Sequence, residues 1–101
     1  MASLKNYYQK LYSCPIVELS GYASAFQLKG RIFAYLNFDG PTGTGKDALA
    51  EGMLALAVER GDLKKGQTVV EASAGSFATA LTIAGRQSGH PVVLAVPSGI
   101  S

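Results

Sequence analysis

Apolar residues recur along this chain with two periods, and the order in which the periods alternate predicts the architecture. Leu4, Tyr7, Tyr8, Leu11 and Tyr12 fall at i, i+3, i+4, i+7 and i+8, the spacing of one helical face, and Pro15 stops the run. A short N-terminal helix follows from this, with its aromatic face packed in a core or an interface. Positions 16–19 can form a short strand, and 20–30 carry too few apolar residues for more than a connector. From position 31 the pattern becomes regular. Ile32, Ala34, Leu36 and Phe38 alternate with Phe33, Tyr35 and Asn37, so a strand over 31–38 is largely apolar on both sides, as in a parallel sheet covered on two faces. Leu49, Met53, Leu56 and Arg60 mark a helical stripe that Leu54 and Val58 broaden. They give a buried helix over 47–60, which Gly61 ends. A polar turn at 62–67 leads to a strand over 68–72. Phe77, Leu81, Ala84 and Ser88 then share one face of a second helix closed by Gly89, and 92–96 reads as a buried strand. Strand, helix, strand, helix, strand predicts an α/β fold: a parallel sheet with a βαβαβ core in three layers, preceded by a short N-terminal helix. The organisation expected is an N-terminal helix and connector at 1–30 and the βαβαβ segment at 31–101.

Composition narrows the function classes. A chain of 101 residues, 48% of them hydrophobic, has room for one domain with a modest core. Net charge is only +2, and the basic residues are scattered apart from Lys64 and Lys65, so no nucleic-acid footprint is present. The single cysteine, Cys14, permits no internal disulfide and has no histidine near it in sequence; it reads as a small buried filler. No apolar run approaches the ~20 residues that span a membrane, and positions 1–10 lack an apolar signal segment, so a cytoplasmic protein is expected. His90, between Gly89 and Pro91, reads as an exposed or capping histidine in a turn.

The candidate chemistry lies in the octapeptide GPTGTGKD at 40–47, which puts Lys46 in a glycine-rich turn between a strand and a helix. Two readings compete. Gly40 through Lys46 satisfies the first seven positions of the P-loop pattern GxxxxGK[ST], in which backbone N–H groups wrap phosphates. The eighth position is Asp47 rather than a hydroxyl residue, and its carboxylate would repel a polyphosphate. A second small-residue loop, Ser73, Ala74, Gly75 and Ser76, precedes the helix that begins near Phe77. The free N–H groups and dipole at that helix start suit a carboxylate or phosphate.

The second reading comes from similarity over nearly the whole chain. PTGTGKD resembles the PTGSxKD segment of the fold-type II pyridoxal phosphate enzymes, the family of cysteine synthase, threonine synthase and the tryptophan synthase β chain. CPIVEL at 14–19 resembles that family's TPLVxL segment, and RIFAYLNFDGPTG its strand into the lysine turn. ERGDLKKGQTVVEASAGSFATAL resembles the exit from the lysine helix followed by a strand and the SGNTG loop, and GHPVVLAVPSGIS the strand and turn that come next. The resemblance implies pyridoxal 5'-phosphate as cofactor, with Lys46 as the Schiff-base lysine that also moves the substrate's α-proton. It implies that Ser73, Ala74, Gly75, Ser76 and Phe77 grip the carboxylate of an amino-acid substrate, with Ser76 also beside the cofactor ring. The chain departs from the family at three of these places: Ser76 stands for an asparagine, Phe77 for a threonine, and Ala48 for an arginine that often follows the KD pair. Family members are several-fold longer, and their phosphate cradle and pyridine-nitrogen partner lie in later sequence, so a fragment, a chain completed by a partner or a degenerate relative is expected, and the open strand edges of an unfinished sheet favour association with a second copy or a complementary chain. The leading expectation is cysteine-synthase-like β-replacement on an activated serine. A lyase or deaminase of the same family, a non-catalytic assembly protein on the same scaffold, and a P-loop nucleotide module remain as alternatives.

Overall fold

The computed structural model describes residues 4–99. Its elements in chain order are α1 (Leu4–Tyr12), β1 (Ile16–Glu18), α2 (Ser20–Ala25), β2 (Phe33–Tyr35), α3 (Lys46–Arg60), β3 (Val69–Ala72), α4 (Ser76–Gln87) and β4 (Val92–Ala95). Small side chains set the core: Ala50 and Leu54 of α3 meet Ala80, Leu81 and Ala84 of α4, with Leu63, Val69, Phe77 and Val92 packed around them. Alanines on both helices let the two backbones approach closely, and α4 in turn lies on β3 and β4.

β3 and β4 pair in parallel, from Val69 opposite Val92 to Ala72 opposite Ala95, with α4 as the crossover. Along each strand the residues alternate between half-buried and exposed. Val70 and Val93 on the outer face are 68% and 54% exposed. This parallel pair is thus covered on one face only among the described residues, where the sequence pattern predicted cover on both. The α/β class, the small parallel sheet and the N-terminal helix are as predicted, but the βαβαβ core is present as one parallel pair. β2, the strand ahead of the lysine turn, instead pairs antiparallel with β1, setting Ile16 opposite Tyr35 and Glu18 opposite Phe33. Backbone bonds from Leu19 to Ile32 and from Leu36 to Pro15 extend this ribbon, and Arg31 bridges to Glu18 at 2.6 Å. Alternation in 31–38 identified an extended segment but carried no information about which neighbour it would choose.

Two further differences have local causes. Positions 20–30, predicted as a connector, contain the six-residue α2, where Tyr22 and Phe26 sit one turn apart with ring centroids 4.7 Å from each other. In α3 only part of the predicted stripe faces inward: Leu54 is buried and Leu56 and Val58 are half-buried as expected, but Leu49 and Met53 are exposed, and Asp47, Ala50 and Ala55 are buried in their place. This helix is apolar nearly all round, and the close contact with α4 selects Ala50 and Leu54 rather than Leu49 and Met53. Gly61, with φ 78°, ends α3 in the left-handed conformation expected of it.

α1 docks on α3 through Leu4, Tyr7 and Leu11, which are half-buried, while Tyr8 and Tyr12 stack on each other in solvent. Lys10 reaches Glu51 of α3 at 3.3 Å. His90 is not the exposed turn residue predicted. It is 3% exposed, its ring Nδ1 lies 3.0 Å from the Gln67 carbonyl, and its N–H donates to Gly85, which together tie the starts of β3 and β4 to the end of α4. Cys14 is half-buried rather than a core filler. The Cα radius of gyration of 16.9 Å exceeds the ~13 Å of a compact chain of this length, in line with the many apolar side chains left in solvent. Among the described residues no helix is long and apolar enough to cross a membrane. The predicted resemblance over 89–101 reaches Ile100 and Ser101, which lie outside the described residues.

Candidate functional site

The turn at 40–47 is organised from the inside by a carboxylate. Asp47, in the first turn of α3, is 6% exposed, and its Oδ2 accepts from the Thr42 hydroxyl at 2.7 Å and from the Thr42 N–H at 3.1 Å. The Thr42 and Thr44 hydroxyl oxygens are 2.9 Å apart, and the Lys46 N–H donates to Thr44 Oγ1 at 3.2 Å. Gly43 takes φ 69° and donates to the Gly40 carbonyl at 3.0 Å. At Gly40 a β-carbon would come within 2.4 Å of Asp47 Cβ, so only glycine leaves room for the carboxylate. The acid also complements the positive end of the α3 dipole. This arrangement bears on the nucleotide alternative. In a phosphate-binding loop the inward N–H groups face the anion, whereas here the Thr42 N–H is given to Asp47 and a negative charge lies against the turn. That alternative gains no support.

Lys46 is the first residue of α3, and its side chain is exposed. Among the described residues its amine makes no hydrogen bond or ion pair. The second predicted loop leaves β3 after Ala72. Ser73 is half-buried, Ala74 and Gly75 are exposed, the backbone is extended at Gly75, and Ser76 opens α4 with Phe77 half-buried behind it. No side chain caps α4, so its first N–H groups have neither an intrahelical acceptor nor a side-chain one. A β-carbon at Gly75 would meet nothing within 4 Å, which leaves the loop open to an approaching group. Lys46 and Ser76 thus stand at the first positions of two helices that pack on each other through Ala50, Leu54, Ala80, Leu81 and Ala84. The loop also follows the carboxyl end of β3, the side of a parallel sheet where α/β proteins bind ligands.

A separate cleft of about 230 Å³ lies between α1 and the back of the turn, lined among others by Tyr7, Lys10, Cys14, Asp39, Asp47 and Glu51. Neither Lys46 nor any residue of 73–77 lines it, so it is distinct from the predicted site. Beside it the Tyr35 hydroxyl donates to the Leu11 carbonyl. Its pKa is pushed up to about 12, first by the neighbouring Cys14 thiol, then by desolvation and by Tyr7 and Tyr12 nearby. Among the described residues no cluster of His, Cys, Asp or Glu could hold a metal ion.

The family model described as "Pyridoxal-phosphate dependent enzyme" matches residues 9–101. The chain belongs to this family. A cysteine synthase of Dictyostelium discoideum is 33% identical over 87 residues, 86% of this chain and 22% of that protein. A cysteine synthase of Aquifex aeolicus is 39% identical over 70 residues, 69% of this chain and 21% of that protein. The chain therefore spans well under a third of the length of these relatives. The crystal structure of an O-acetylserine dependent cystathionine beta-synthase from Helicobacter pylori matches the whole chain and 32% of its own, with a TM-score of 0.70 and 20% identity, which shows a shared fold.

Pyridoxal phosphate is the cofactor of this family. The residues present fit two of its demands. A reactive aldehyde needs a primary amine free of ion pairs, and among the described residues Lys46 offers one; an anion needs N–H groups without another acceptor, and the start of α4 offers them. Sequence reasoning missed the Thr42–Thr44–Asp47 network and took Asp47 only as an obstacle to phosphate. The signal was present in two threonines just ahead of an acid in a helix's first turn, residue types that hydrogen-bond local backbone.

Proposed function

We propose that this chain serves a pyridoxal-phosphate-dependent enzyme that acts on amino acids in the manner of a cysteine synthase, by β-replacement on an activated serine. The observation that carries the reading is the place of Lys46, at the first position of α3 behind a turn closed by Asp47, with an amine that makes no ion pair among the described residues, in a family defined by this cofactor. When bound, the cofactor supplies a pyridine ring that delocalises the charge left on an amino acid's α-carbon as its proton departs. Lys46 Nζ would hold the cofactor and carry the proton at that α-carbon. Ser73, Ala74, Gly75, Ser76 and Phe77 would seat the substrate carboxylate. In this role the N–H groups at the start of α4 act as donors, and the Ser76 hydroxyl donates one bond toward the cofactor ring. The names of the relatives, cysteine synthase and O-acetylserine dependent cystathionine beta-synthase, support replacement over elimination and an acylated serine as substrate.

A second reading is favoured by Ser76 and Phe77. Where the family pattern has an amide and a hydroxyl, this chain has a shorter hydroxyl and an aromatic ring, which fits a non-catalytic assembly protein on the same scaffold. The test is a titration of the chain with pyridoxal phosphate, following the cofactor's visible absorbance, against Lys46→Ala. A saturable spectral change lost in Lys46→Ala and shifted further by O-acetylserine supports the enzyme. Binding with no response to any amino acid supports the assembly protein, and equal spectra for the two chains would sink both uses of Lys46.

A further inference from the structure

The chemistry assigned to Lys46 uses its amine and leaves unexplained why the turn in front of it is built around a buried acid. Asp47 and His90 are the buried polar residues among those described. Removing a carboxylate from water is costly unless hydrogen bonds replace the hydration, and Thr42 supplies them through both its N–H and its hydroxyl. The proton directions follow. The Thr42 hydroxyl spends its proton on Asp47, so across the 2.9 Å contact it accepts from the Thr44 hydroxyl, which in turn accepts from the Lys46 N–H. The result is a one-way series, Lys46 N–H to Thr44 to Thr42 to Asp47, in which each bond polarises the next and all of them end on a charge. Gly40 leaves the space that lets the carboxylate close it.

We propose that Asp47 is a positioning residue for Lys46. Anchored in α3, its carboxylate holds the turn through Thr42 and Thr44 and fixes the Lys46 backbone, so that the amine projects from a set point toward an incoming aldehyde. This rests on the reading of Lys46 as the cofactor-holding residue. A lysine has a flexible four-carbon stem, and fixing its backbone removes one source of misplacement where small displacements cost rate.

The test compares the native chain with Thr42→Val, which keeps shape but removes the hydroxyl, Thr42→Ser, which restores it, and Asp47→Asn. One readout is amide hydrogen exchange at positions 42 and 46, which needs no cofactor. The other is the initial rate at which pyridoxal phosphate is captured at Lys46 under borohydride, divided by the rate at Lys64 in the same sample. In Thr42→Val and Asp47→Asn, exchange at position 46 rises about tenfold and the capture ratio falls about tenfold, whereas Thr42→Ser stays near native. If Asp47→Asn melts without cooperativity, the isosteric Thr42→Val decides alone. Native exchange and a native capture ratio in Thr42→Val overturn the positioning role while leaving Lys46 as the reactive amine. Absence of preferred capture at Lys46 in the native chain overturns that amine instead, and the exchange readout then decides the role of Asp47 without it.

Discussion

Two glycine-to-alanine changes in the helices have opposite expected signs, although helix propensity treats them alike. Replacing an interior helical glycine by alanine is worth about 1 kcal/mol of stability where there is room. At Gly85 there is none. A β-carbon would sit 2.4 Å from Val92 Cγ2 and 3.0 Å from the His90 carbonyl, so it meets a stiff branched side chain of β4 and the backbone just ahead of that strand. Overpacking of this kind costs about 1–3 kcal/mol, so after the propensity gain Gly85→Ala should lose about 1–2 kcal/mol. At Gly52 the obstacle is the Tyr7 ring, with Cζ at 2.6 Å and the hydroxyl at 3.0 Å. That ring is the far end of a side chain on half-buried α1, and it can swing outward. Gly52→Ala should therefore leave the α3–α4 core as stable or up to about 1 kcal/mol more stable while loosening α1. Urea unfolding followed by circular dichroism reads the first quantity, and the rate of tryptic cleavage after Lys10 reads the second. Gly85→Ala as stable as the native chain, or Gly52→Ala with unchanged cleavage, would refute the packing described for these helices.

Leu81 is almost fully buried in the α3–α4 cluster, so Leu81→Ala should cost about 2–5 kcal/mol in the same unfolding assay. Lys10 and Glu51 pair at the surface, so Glu51→Gln should change stability by less than about 1 kcal/mol and the change should vanish at high salt. The Tyr35 pKa is raised from 10.0 to about 12, chiefly by the neighbouring Cys14. A raised folded pKa means that the stabilisation is complete below pH 10 and is lost as pH rises through about 12. In an ultraviolet titration one of the five tyrosines should ionise late, and Cys14→Ala should bring it back toward the others.

Elements with a strong local pattern were readable before any coordinates. α1, α3 and α4 begin and end within a residue or so of their expected limits, because Pro15, Gly61 and Gly89 stop chains by local geometry. Partners across space were not readable. Nothing in 31–38 distinguished a parallel neighbour from the antiparallel ribbon with β1, and nothing in α3 told that Ala50 rather than Leu49 would face the core. The position of His90 was missed because burial in a turn depends on the Gln67 carbonyl, 23 residues away. The candidate site divides in the same manner. The amine of Lys46 and the open loop at Ser73 follow from residue type and spacing, but the inward closure of Asp47 depends on a space at Gly40 that a one-dimensional pattern does not contain.

The central claim is that Lys46 is the amine that takes up pyridoxal phosphate. Incubation with the cofactor at low excess, borohydride reduction and peptide mapping by mass spectrometry test it most directly, since the chain carries competing lysines at positions 5, 10, 29, 64 and 65. The account predicts that the adduct forms first and mainly on Lys46. Label spread evenly over the lysines, or concentrated on any of the others, would contradict it.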